Sequence, residues 1–137
     1  MTKKIAICSL LLLLSLFVAE PVFACSCIAP PPPQEAAQQA AAVFTGTVVS
    51  VTQVGSQQEV RIRVERVWKG AKCGEITILT PLDEAACGFN FQTGQSYLVY
   101  ADRQQGKLST NLCTRTTSTS AASEDLAALG EPKQVCQ

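Results

Sequence analysis

Cysteine is the feature that most constrains this chain. One of its seven cysteines, Cys8, lies in an apolar leader, and Cys25, Cys27, Cys73, Cys87, Cys113 and Cys136 are spread over the rest. An even set in an exported domain of modest size reads as three disulfides. Zinc is the rival reading, but none of the six stands in a Cys-x₂-Cys pair, and an oxidising compartment favours bridges over thiolates. Spacing alone does not choose among the possible connectivities.

Export is itself read from the leader. Lys3 and Lys4 precede an apolar run from Ile5 to Ala19, Glu20-Pro21 breaks it, and Val22-Phe23-Ala24 supplies small or β-branched residues where signal peptidase needs them. The expectation is a signal peptide over residues 1–24, with Cys25 as the first mature residue. The apolar run is shorter than the ~20 residues of a spanning helix, so no stable membrane span should remain after cleavage. Residues 25–137 suffice for one domain, located outside the cytoplasm as a secreted, extracellular or periplasmic protein.

Charge and composition exclude other classes. Eleven Lys and Arg stand against eleven Asp and Glu, and removing Lys3, Lys4 and Glu20 barely disturbs that balance. A nucleic-acid partner would call for a basic face, so none is expected. Histidine is absent, which removes imidazole catalysis and every metal site with histidine ligands. No cofactor is expected.

Along the mature chain, Pro30 to Pro33 form an extended segment and Gln34 to Ala42 a short helix, with Glu35 near its N-terminal dipole. The period then changes to two. Val43 to Thr52 reads as a strand with Gly46 inside it, Gly55 to Gln57 as a turn, and Glu59 to Gly70 as a second strand whose alternation slips at Glu65-Arg66, the mark of a β-bulge. Further strands are expected at Ile76 to Thr80, Tyr97 to Asp102 and Lys107 to Asn111. The tail reads as a helix capped by Ser123, with Glu124 and Asp125 in its first turn and Gly130 as its stop. Mid-strand glycines and bulges let a sheet close, so the expected class is mainly β: an OB-type five-stranded closed barrel with two flanking helices, stapled by disulfides.

Cys25-Ser26-Cys27 at a mature N-terminus, Pro33-Gln34, the strand "RIRVERVWKG", "ITILTPLDEAACGF" and "LCT" come in an order that resembles the N-terminal, netrin-like domain of the tissue inhibitors of metalloproteinases. The resemblance covers nearly all of residues 25–137. It implies an OB-type barrel and the bridges Cys25–Cys87 and Cys27–Cys113, leaving Cys73 and Cys136 to each other. That family places its third cysteine shortly after the Pro-Gln, where this chain has an alanine-rich segment, and it usually has histidine where this chain has Pro32.

The resemblance also implies inhibition of a zinc metalloproteinase. A free α-amino group has a pKa near about 7.7 to 8.0, so part of it is neutral at physiological pH and can donate a lone pair. With its own carbonyl oxygen, Cys25 would chelate the partner's catalytic zinc at the position kept open for water or substrate. Ser26 would enter the adjoining specificity pocket, and Cys27, Ile28 and the segment Asp83, Glu84, Ala85 and Ala86 would complete a contact ridge.

Other readings stand beside this one. The Cys-Ser-Cys can be a purely structural staple, or the domain a non-inhibitory netrin-like binding module. Cys25 can be lipid-anchored through its sulfur, although that would leave an odd number of cysteines. An enzyme would have only carboxylates such as Asp83 and Glu84 to work with. Arg61, Arg63, Arg66, Lys69 and Lys72 read as a solvated face, and Trp68 and Phe89 as core or rim packing.

Overall fold

The computed structural model describes residues 25–137. The expected signal peptide over residues 1–24, with Cys8 inside it, lies outside the described residues. The elements are α1 (Pro33–Gln39), β1 (Ala42–Val54), β2 (Gln57–Lys69), β3 (Gly74–Pro81), β4 (Ser96–Gln104), β5 (Lys107–Ser109), β6 (Thr117–Ser118), α2 (Ser123–Leu129) and β7 (Gln134–Val135).

Strands β1 and β2 form a long hairpin around the left-handed Gly55. One of its three register shifts falls where the alternation in the sequence breaks. Thr45 faces Arg66 and Gly46 faces Val64, which leaves Glu65 as the extra residue of a bulge. Gly46 is required there, since a Cβ would lie 2.5 Å from both the Arg63 carbonyl oxygen and the Ile62 side chain. The first half of β1 is paired on both edges, with β2 on one and on the other with β4, from Ala42–Ala101 to Thr47–Ser96. Strand β3 continues from β2, β5 lies parallel to β3, and β5 returns antiparallel to β4. A five-stranded ring is thereby closed in the order β1-β2-β3-β5-β4, compatible with an OB-type barrel.

Alternation sorts β1 and β4 into two apolar layers. Phe44, Val48, Val99 and Ala101 point into the ring with Val60, Ile62, Val64, Ile78 and Tyr97. Val43, Leu98 and Tyr100 point outward and are covered with Trp68 by α1 and α2 through Ala36, Ala37, Leu126 and Leu129. Trp68 is thus part of the core beneath the helices, where its indole nitrogen donates to the Gly130 carbonyl at 2.9 Å. Phe89 packs on Phe91 and Tyr97, half-buried against the inner core.

Four local expectations change. Helix α1 stops at Gln39 rather than Ala42, because Ala40 is extended and the Ala41 amide is taken by the Ala101 carbonyl at 2.9 Å. Strand β5 ends at Ser109, where the Thr110 amide turns to the Leu79 carbonyl and its hydroxyl to Tyr100. Ser123 begins α2 without capping it, as Ala122 holds the N-cap position and no side chain accepts there. Gly130 does end the helix, with φ of 67°. On the basic face, Arg61 and Arg63 pair with Glu75, but Lys69 turns inward to cap α1, donating to the carbonyls of Ala37 at 3.1 Å and Gln38 at 2.7 Å.

Candidate functional site

At one end of the ring the segment from Cys25 to Pro31 is stapled across two loops. Cys25 is bridged to Cys87 and Cys27 to Cys113, while Cys73–Cys136 ties the tail to the start of β3 well away from them. The first two bridges touch, with the Cys87 and Cys113 sulfurs 3.9 Å apart. All four sulfurs lie within 4.8 Å of one another. Each is consumed by a disulfide, so the cluster presents no thiolate to a metal and the zinc alternative for these cysteines is not the state described.

The loop that receives Cys25 is built by its own residues. Asp83 accepts from the Ala86 amide at 2.9 Å and so caps the short 3₁₀ turn Glu84–Ala86. The chain then reverses through Cys87, which has φ of 65°, a left-handed conformation that non-glycine residues adopt only when held. Gly88 follows, pressed against the backbone of Pro81, where a Cβ would collide. Its amide donates to the Asp83 carbonyl at 2.8 Å, and the Phe89 amide to the Thr80 hydroxyl at 2.8 Å. The carboxylate of Asp83 therefore has a structural use, and Glu84 is exposed beside it.

The result is a narrow tip. Ser26, Cys27, Ile28, Asp83, Glu84, Ala85 and Ala86 are all exposed, while Cys25 and Cys87 are half-buried between them. Ile28 is 91% exposed, an apolar side chain facing water on a stapled backbone. The bridges bring residues 25–28 and 83–87 together although more than fifty residues separate them in the chain. Leu112, 39% exposed, joins them through its amide, which donates to the Cys87 carbonyl at 2.9 Å. Sequence reasoning missed it, and the only signal available was an apolar residue directly before a bridged cysteine.

Behind the tip lies a buried polar group that was also missed. Asp125 does stand in the first turn of α2, as the sequence implies, but it is also buried against Arg115 and Tyr100, and its side chain is satisfied by them. Burial raises its pKa, but the Arg115 and Tyr100 hydrogen bonds and the Arg115 charge outweigh burial and hold the carboxyl below its ordinary range. Burial and the same carboxylate push the Tyr100 hydroxyl far above its ordinary range.

No helix among the described residues is long and apolar enough to cross a membrane. The family model for tissue inhibitor of metalloproteinase matches residues 23–125, a span that contains the whole closed ring, the stapled tip and both bridges that converge on it. No curated protein matches the chain. With most of its length matched, and with that fold and those bridges present, the chain belongs to the tissue inhibitor of metalloproteinase family, a family of inhibitors rather than enzymes.

Proposed function

We propose that the protein is exported, begins at Cys25 after cleavage, and inhibits a zinc metalloproteinase by chelating its catalytic metal through the Cys25 amine and carbonyl oxygen. The observation that carries this reading is the combination of exposure and restraint at the tip. Ser26 and Ile28 face water on a backbone held by Cys25–Cys87 and Cys27–Cys113, so little conformational freedom remains to be lost on binding. A neutral terminal amine supplies the lone pair, and the partner's metal supplies the open coordination position. Ser26 enters the adjoining pocket, while Ile28 and the ridge Asp83–Ala86 contact the walls of the cleft. Three disulfides suit an exported protein.

The Cys25 sulfur is committed to the bridge with Cys87, which favours a free amine over a lipid thioether at that residue. The test is direct. Wild-type protein and a version with one alanine before Cys25 are assayed against a panel of zinc proteases, with intact mass and N-terminal sequencing of both. Inhibition by the wild type alone supports chelation. Equal inhibition by the two proteins sinks chelation, and inhibition by neither leaves a non-inhibitory netrin-like binding module as the better reading. Replacing Ser26 by a bulky residue should reorder which proteases are bound without altering the bridges.

A further inference from the structure

Directly behind the tip, one arginine joins three parts of the chain. Arg115 meets the buried Asp125 carboxylate with two parallel hydrogen bonds, Nε to Oδ1 at 2.7 Å and Nη2 to Oδ2 at 2.8 Å. That fork is a geometry lysine cannot supply. Tyr100 of β4 donates its hydroxyl to the same carboxylate at 2.8 Å, and Asp125 is only 5% exposed. The remaining arm, Nη1 of Arg115, donates to the Pro31 carbonyl at 3.4 Å. Glu124 adds a longer contact of 3.7 Å from the solvent side.

Arg115 also belongs to the turn that carries Cys113, and that turn is locked to β4 by threonines. The Thr110 hydroxyl donates to the Tyr100 carbonyl at 2.9 Å and lies 2.8 Å from the Thr116 hydroxyl, which accepts from the Tyr100 amide at 3.0 Å. The Thr114 hydroxyl closes the cluster at 2.9 Å from both. The turn therefore holds the N-terminal segment at two points: Cys27 through a disulfide, and Pro31 through Arg115. Ile28, Ala29 and Pro30 lie between those points, with Ile28 facing water.

We propose that Arg115, backed by Asp125 and Tyr100, is a positioning residue for the inhibitory N-terminus: by fixing Pro31 as a second anchor after Cys27, it sets the direction in which Ile28 is presented to a target. The role rests on the inhibitor reading above, but the anchoring itself can be measured without any protease. Loosening the anchor should act mainly on dissociation, because the freed segment must be ordered again in the complex.

The experiment uses the oxidised, cleaved protein with Arg115→Gln and Arg115→Lys. Gln removes the fork and the arm to Pro31. Lys keeps a positive charge against Asp125 but cannot also reach Pro31, so it preserves more of the fold and serves as the decisive variant where Gln is unstable. With the bridges verified by non-reducing mass spectrometry, amide relaxation in both variants should show the order parameters of Ile28 and Ala29 falling from the rigid range near about 0.85 toward the flexible range below about 0.6. Affinity for a protease that the wild type inhibits should weaken about tenfold, through faster dissociation. Unchanged order parameters in folded Arg115→Lys overturn the anchor, and loosened order with unchanged affinity overturns its role in positioning. If the wild type inhibits no zinc protease while Ile28 still loosens, the inhibitor reading fails and the anchor stands.

Discussion

The ring and the tip are ordered by opposite means. In the ring, Phe44, Ile62, Ile78 and Val99 are removed from water completely, and apolar burial holds the strands where they are. At the tip, Ser26, Ile28 and Asp83–Ala86 remain in water, and order comes from two disulfides, the Asp83 cap, the reversal at Cys87 and the reach of Arg115 to Pro31. A core uses its apolar surface on itself. A surface held still by covalent and polar ties keeps its apolar groups available to a partner, at a low cost in conformational freedom on binding.

The largest expected effect breaks the ring and leaves the tip chemistry alone. Phe44→Ala opens a cavity among Val48, Ile62 and Val99 and should cost about 4 kcal/mol in urea unfolding. Its Cys25–Cys87 and Cys27–Cys113 bridges should still form. A loss below about 1 kcal/mol would mean that the ring is not held mainly by its core.

Next comes the bridge outside the tip. The pair Cys73→Ser with Cys136→Ser removes a covalent tie between β3 and the tail and should cost about 3 kcal/mol of stability. Protease binding by the folded protein should be unchanged, and weakened binding at saturating folded fraction would show that the two ends of the molecule are coupled. An alanine placed before Cys25 should do the reverse. Inhibition should fall by at least about a hundredfold, equivalent to about 2.7 kcal/mol, with no shift in the urea midpoint.

The smallest effect sharpens the boundary between the two regions. Asp125→Asn keeps an acceptor but loses the ion pair with Arg115, and should cost about 1.5 kcal/mol at neutral pH. Because the folded carboxyl lies below its ordinary range, its contribution is fully present above the unfolded value of about 3.9 and is lost as pH falls through the folded value. Urea midpoints measured from neutral pH downward should therefore show a constant gap between wild type and variant that shrinks only below about pH 4. A gap that persists unchanged in acid would mean that Asp125 acts through shape rather than charge.

Much of the ring was legible because strand alternation is a local property. "EVRIRVERVW" displays both its buried face and the slip at Glu65, and the structure places the bulge there. The helix ends were less legible. Propensity carries the alanine-rich segment on to Ala42, but the Ala101 carbonyl competes for the Ala41 amide, and that carbonyl comes from a strand about sixty residues away. The tip was legible only in part. Cys-Ser-Cys and "PLDEAACGF" mark its two halves, whereas Leu112 and Arg115 carry no periodic or motif signal and gain their places from the turn that Cys113 anchors.

By itself, the sequence determined the mainly β ring, the glycine and bulge that let it close, the even set of cysteines and the exclusion of histidine chemistry, since each depends on residue type, count or near-neighbour spacing. Only the tertiary structure decided that Asp125, in the first turn of its helix, is buried against Arg115 and Tyr100, that Lys69 caps α1 rather than joining a solvated face, and that Arg115 reaches Pro31. The physical reason is that these are meetings between side chains and backbone groups far apart in the chain. Their partners are selected by how the closed ring brings loops together, and no local pattern records that.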